Sequence, residues 1–221
     1  QWVDHCQHVS MGCCTNLADF CRTTGLGGCF TRYRRLHFFG PDGRRRDFAA
    51  SRWLPAPLHL VPGLLRLTYL RPRERLGILR AMCRLARLRP EDEGHDDATV
   101  DDWLRGQGQT QEAVERFWSP VLLGALSETP DRASLAAARK VFLDGFLAAR
   151  EAYELEVPNV PLEEIYDRRL ADWLRANGVA VQLGARVRQV DGDAKAAREI
   201  VLADGSRRAF DFLVAGDPWH K

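Results

Sequence analysis

The chain lacks any run of about 18 consecutive apolar residues, so no membrane-spanning helix is expected from it. It opens on Gln1 rather than on an initiator Met. Its first residues show no basic stretch followed by an apolar one, so they are not read as a secretory signal. No C-x-x-C pair occurs, and five of the six cysteines (Cys6, Cys13, Cys14, Cys21, Cys29 and Cys83) fall within 24 residues. That spacing suits neither a zinc site nor a spread disulfide framework, which leaves small packing thiols as the expectation. Also missing is G-x-G-x-x-G between a strand and a helix, the arrangement whose backbone amides cradle a dinucleotide pyrophosphate. Gly25-Leu26-Gly27-Gly28 and Gly106-Gln107-Gly108 both follow helical segments and are read as loops.

What is present is ordinary for a globular protein. The 221 residues are 45% hydrophobic and 28% charged with a net charge of +2, which selects no class of partner. The length suits one large domain or parts of two.

The pattern mixes helices and strands. Trp2 to Ser10 reads as extended, and Cys13 to Thr24 as a helix with Cys14, Leu17 and Cys21 on one face, stopped at Gly25. Cys29 to Tyr33, Leu36 to Phe39 and Arg44 to Phe48 are strand-like, with Gly40-Pro41-Asp42-Gly43 turning the last two into a hairpin. Prolines 55, 57 and 62 punctuate the next stretch, and Pro72 opens a long helix to about Leu88. On that helix Leu76, Leu79, Met82, Cys83 and Ala86 form one stripe and Arg73, Arg80, Arg84 and Arg87 another. Glu91 to Asp97 is an acidic loop, and Thr99 is an N-cap. Gln111 to Trp118 and Val121 to Leu126 read as short helices separated by Pro120, and Ser134 to Ala149 as a buried helix. Pro158 and Pro161 bracket a turn before a helix from Leu162 to Asn177, ended by Gly178. Four short β runs follow: Val179 to Leu183, Arg186 to Val190, Glu199 to Ala203 and Phe210 to Ala215. Asp191-Gly192 and Asp204-Gly205 are read as turns.

Three segments carry a family resemblance. DHCQHVSMGCCTN (Asp4 to Asn16) resembles the D-N-G-Q-H-x-x-x-G-C segment of squalene-associated FAD-dependent proteins, in the amine oxidase and phytoene desaturase superfamily, with His5-Cys6 in place of Asn-Gly. ERFWSPVLLGALSETPDRASLAAARKVF (Glu115 to Phe142) resembles the helical substrate domain of hydroxysqualene dehydroxylases. Pro161 to Val190, followed by VLADGSRRAFDFLVAGDP (Val201 to Pro218), resembles the return to the FAD domain, with FLVAGDP where the family has a strand like VVLAVP.

The resemblance implies an α/β (α+β) internal piece of a larger flavoprotein. Residues 1–28 would be part of a Rossmann-like FAD-binding domain, 29–157 a largely helical substrate domain, and 158–221 the return to the FAD domain with a β-meander. The implied cofactor is FAD, contacted by the backbone of Val187 and by Gln7 and His8, with Asp4 and His8 as the nearest candidates for a catalytic acid. Phe117, Trp118, Val121, Leu122 and Leu126 would wall a cavity for a long isoprenoid; composition alone favours an ordinary helical core, and the resemblance tips the reading to the cavity. The implied reaction is reductive dehydroxylation of hydroxysqualene to squalene in hopanoid or triterpenoid synthesis. A carotenoid desaturase, an amine oxidase-like flavoenzyme and a non-catalytic lipid-binding remnant are the alternatives. The expected location is cytoplasmic. For the basic helix, pairing with the acidic loop comes first and peripheral contact with the inner face of a membrane second. Nucleic acid is not expected, because no recognition motif accompanies the stripe.

Overall fold

A computed structural model describes residues 9–89, 98–193 and 196–216. Asp4, Cys6, Gln7, His8 and the acidic run from Glu91 to Asp97 lie outside them. The chain divides into two compact units, Gln1–Leu170 and Ala171–Lys221, each described by itself. The class is mixed α/β, with helices and small antiparallel sheets.

The first unit begins with a short strand, β1 (Ser10–Met11), and helix α1 (Thr15–Thr23). Gly12 joins them where a Cβ would fall 2.1 Å from the Glu151 carbonyl oxygen, and its N–H donates to Glu154 O at 2.8 Å. Only glycine allows that approach. The expected helix face is corrected in part: Cys21 is buried, but Cys14 is exposed and Leu17 is 38% exposed. Cys83 is likewise exposed, so the packing reading fits Cys21 and Cys29 and not these two thiols.

Strand β2 (Phe30–Tyr33) is followed by the hairpin β3 (Leu36–Phe39) and β4 (Arg45–Phe48), paired Leu36 to Phe48 and Phe39 to Arg45 around the glycine–proline turn. Strand β2 does not join that hairpin. It pairs with a strand hidden between the expected elements, β5 (Leu155–Pro158), which lies between β1 and β2 in an antiparallel sheet. Arg32 and Glu156 stand opposite one another there, and the guanidinium donates to the Glu156 carboxylate at 2.8 and 3.1 Å.

Helix α2 (Val61–Leu65) follows a 3-10 turn over Leu58–Leu60, and α3 (Pro72–Leu85) starts from a reciprocal cap in which Glu74 accepts from the Arg71 N–H at 2.7 Å. The apolar face of α3 differs from the expected stripe. Ile78, Ala81, Met82 and Leu85 are buried together with Glu74, whereas Leu76, Cys83 and Ala86 are exposed. The neighbouring elements and the cap at Glu74 set which way the helix turns, and its own periodicity admits both stripes.

Thr99 caps α4 (Val100–Gly106) as expected, accepting from Asp102 N at 3.2 Å. Helix α5 (Gln111–Ala113) then runs through a π-turn at Val114–Trp118 into α6 (Ser119–Leu126). The expected break at Pro120 is therefore absent. Proline cannot donate to the Arg116 carbonyl four residues back, and the Tyr69 hydroxyl does so instead at 3.3 Å. Burial pushes the Tyr69 pKa up to about 12 against the opposing pull of Arg46 and Arg116, so it serves as a neutral donor. Ser134 caps α7 (Leu135–Phe142), which continues into a second π-turn at Leu143–Leu147. The caps of α4 and α7 pair in an antiparallel bridge, Thr99 with Ser134. A third π-turn, Glu164–Leu170, closes the unit.

His59, in the 3-10 turn before α2, is fully buried, and neither ring nitrogen has a hydrogen-bond partner among the described residues. The neighbouring Tyr153 is by contrast satisfied, donating to Arg34 O at 2.7 Å and accepting from Ala50 N at 2.9 Å. Burial, with the Arg150 charge second, holds the His59 pKa below its ordinary value. The unfolded chain therefore takes up the proton first as pH falls. The stability of the neutral ring is complete above about pH 6.5 and declines below it. His59→Phe keeps the ring volume, removes two orphaned nitrogens and is expected to stabilise the fold by about 1 kcal/mol at neutral pH. Urea midpoints at pH 7.5 and 5.5 should also lie closer together in the variant, and an undiminished gap would count against His59 as the source.

The second unit holds α8 (Ala171–Ala176) and a meander of β6 (Val187–Gly192), β7 (Ala197–Leu202) and β8 (Arg207–Ala209), paired in that order. Gly178, at φ 76°, ends the helix as expected. Asp191-Gly192 is the end of β6 rather than the first turn of the meander, and beyond it Asp193 accepts from Ala196 N at 3.0 Å. Val179–Leu183 and Phe210–Ala215, expected as strands, are irregular: an apolar run becomes a strand only beside another strand, and neither has one among the described residues. Leu183, Phe212 and Val214 are more than 90% exposed, and Leu202 is the one buried residue of this unit among those described.

Candidate functional site

The first unit's core carries a narrow cleft of about 50 Å³ that opens to solvent. Its walls follow from the local structure already described. Phe48 enters from β4. Pro57, Leu60, Val61 and Leu64 come from the proline-punctuated run and α2. Helix α3 contributes Ile78, Leu79 and Met82. The π-turns supply Phe117, Phe146 and Leu147. Every lining side chain is apolar, so the cleft offers a ligand dispersion and the release of water, and no side-chain hydrogen bond or proton.

The π-turns matter to this geometry. Phe117 and Phe146 each lie in one, flanking Phe142 at ring centroid distances of 6.4 and 6.0 Å. Trp118 packs edge-on against Phe142 at 4.7 Å, and its indole N–H donates to Gln109 Oε1 at 3.0 Å. An aromatic cluster thus forms the floor behind the cleft.

Of the five residues expected to wall a cavity, Phe117 lines this cleft. Trp118 and Leu122 are buried in the core behind it, and Val121 and Leu126 pack half-buried against that core. Sequence reasoning missed Phe48, Phe146 and the whole 57–64 wall. The signal for that wall was present in the apolar residues between the prolines, which read as helix breaks and not as a surface. Val187 stands at the start of β6 in the second unit, 46% exposed, paired with Leu202 and followed by a register shift. Asp4, Gln7 and His8 lie outside the described residues. Among the described residues no three His, Cys, Asp or Glu side chains are grouped to hold a metal ion, and no helix is long and apolar enough to cross a membrane.

Neither glycine loop has the setting of a dinucleotide site. Gly25 to Gly28 connects α1 to a 3-10 turn, and Gly106 to Gly108 follows α4, so neither sits between a strand and a helix N-terminus. The described residues therefore supply no pyrophosphate cradle.

No family model matches the chain, and no curated protein matches it. A crystal structure of an oxidoreductase from Methanosarcina mazei superposes with a TM-score of 0.59 at 16% identity, over 88% of this chain. The chain is similar in fold to part of that oxidoreductase. It spans 42% of the other protein's length. At that identity the likeness concerns the fold, which is mixed α/β in both sequence and structure.

Proposed function

We propose that the chain belongs to a FAD-dependent oxidoreductase that acts on a long isoprenoid, with reductive dehydroxylation of hydroxysqualene to squalene as the reaction. The observation that carries this reading is the cleft lined by apolar side chains alone, since a hydrocarbon has almost nothing to hydrogen-bond. The family resemblance and the likeness in fold to an oxidoreductase support it. Exchanging C–OH for C–H with release of water consumes two electrons and two protons, and a reduced flavin is a donor of the right class. This chain's part is to bind the hydrocarbon, exclude water and hold its orientation, with the flavin's pyrophosphate held by residues other than those described. Asp4 and His8 are the proposed sources of the proton for the leaving hydroxyl. The same lining favours one second reading, a lipid-binding protein without catalysis, because no titratable group faces the cleft among the described residues.

The test is turnover of hydroxysqualene, phytoene and simple amines by the purified protein with FAD and a reductant, alongside squalene binding followed by tryptophan fluorescence. Squalene formed from hydroxysqualene is the expected product. Turnover of phytoene or amines alone would move the substrate assignment, and binding without turnover or retained flavin would leave the lipid-binding reading.

A further inference from the structure

Helix α3 presents arginines and uncovered apolar side chains on the same solvent-facing side. Arg73, Arg80 and Arg84, with Arg87 in the turn that follows, are exposed, and none forms an ion pair among the described residues. Elsewhere in this unit Arg32, Arg35, Arg45, Arg46, Arg105 and Arg132 have a carboxylate partner, whereas Arg52, Arg66 and Arg116 form no ion pair among the described residues. Beside these charges lies the apolar stripe that packing leaves out: Leu76 is 47% exposed, and Cys83 is exposed about two helical turns further on. The stripe runs into Leu79, which lines the cleft. The opposite wall does the same. Leu58 and Leu65 are 54% and 49% exposed beside the lining residues Leu60 and Leu64, and Arg75 of α3 donates to the Leu65 carbonyl, holding the two walls together.

Both rims of an apolar cleft are therefore leucine-tipped, and one is edged with cations that form no ion pair among the described residues. We propose that this face docks on an anionic lipid bilayer, with Leu58, Leu65 and Leu76 in the headgroup boundary and Arg73, Arg80 and Arg87 against the lipid phosphates. The cleft then takes its ligand from the membrane and not from water. This deepens the apolar-ligand reading of the cleft and rests on it for its purpose, while the docking itself is measured without turnover.

The experiment is co-sedimentation of the whole chain with vesicles of pure phosphatidylcholine or with about 30% phosphatidylglycerol, at about 0.1 M salt. Binding is expected on the anionic vesicles alone. Each arginine near such a surface is worth roughly fivefold in partitioning, so R73Q/R80Q/R87Q should lower it about a hundredfold. L65S/L76S should lower it about tenfold while leaving retention on heparin unchanged. None of these side chains lines the cleft, so squalene binding should survive in every variant; its loss in the wild type would count against the cleft reading and not against docking. Equal partitioning to both vesicles, or an unaffected arginine variant, would overturn the proposal. Full partitioning by L65S/L76S would overturn it too, in favour of a purely electrostatic surface for a polyanion such as nucleic acid.

Discussion

Phe142→Ala should destabilise the first unit by about 3–5 kcal/mol, the range for emptying an aromatic site in a close-packed core. Phe142 is fully buried at the centre of the cluster, edge-on to Trp118 and flanked by Phe117 and Phe146. Its removal leaves three rings facing a void that rigid helices close only in part. Such a loss is a large fraction of the stability of an ordinary domain, so the urea midpoint followed by far-UV circular dichroism should fall steeply. Phe142→Leu fills more of the space and should cost clearly less. Equal losses in the two variants would mean that the ring contacts contribute little.

Leu79→Asp should weaken binding of squalene by about 30- to 150-fold, about 2–3 kcal/mol, with little change in fold. The side chain is half-buried at the mouth of the cleft, so the carboxylate reaches water in the free protein. A hydrocarbon that fills the cleft strips that water away and offers no hydrogen bond in exchange, which is the cost of burying an unpartnered polar group. Leu123→Asp is the matching control, because Leu123 is 46% exposed on α6 and does not line the cleft. Binding that survives in the Leu79 variant would place the hydrocarbon elsewhere.

Local chemistry made much of this fold legible in the sequence. The hairpin at Leu36–Phe48, the N-cap at Thr99 and the glycine stop at Gly178 all follow from residues a few positions apart. What escaped depends on partners distant in the chain. Strand β5 carries a readable alternation, Tyr153, Leu155 and Val157 against Glu154 and Glu156, yet Pro158 drew attention to a turn. Only pairing with strands some 120 residues earlier makes the segment extended. The reverse holds for Val179–Leu183 and Phe210–Ala215, whose composition asks for a sheet that the described residues do not provide. On α3 two apolar stripes competed, and contacts outside the helix decided between them. The site was legible in its chemistry more than in its residues. Phe117 was within reach of pattern reasoning, while the rest of the cleft is assembled from a strand, a proline-broken run and three helical segments that share no motif.

The π-turns at Val114–Trp118 and Leu143–Leu147 have a genetic meaning as well as a geometric one. A π-turn is an α-helix carrying one residue too many. Deleting a single residue from either turn would restore regular winding while the helix beyond keeps its facing, because the wider turn already absorbs the extra residue. Phe117 and Phe146 lie inside the turns, so theirs are the side chains such a deletion would re-aim. The width of this binding space is therefore adjustable by one-codon insertions and deletions, a coarser and faster route to a new ligand than exchanging its lining residue by residue.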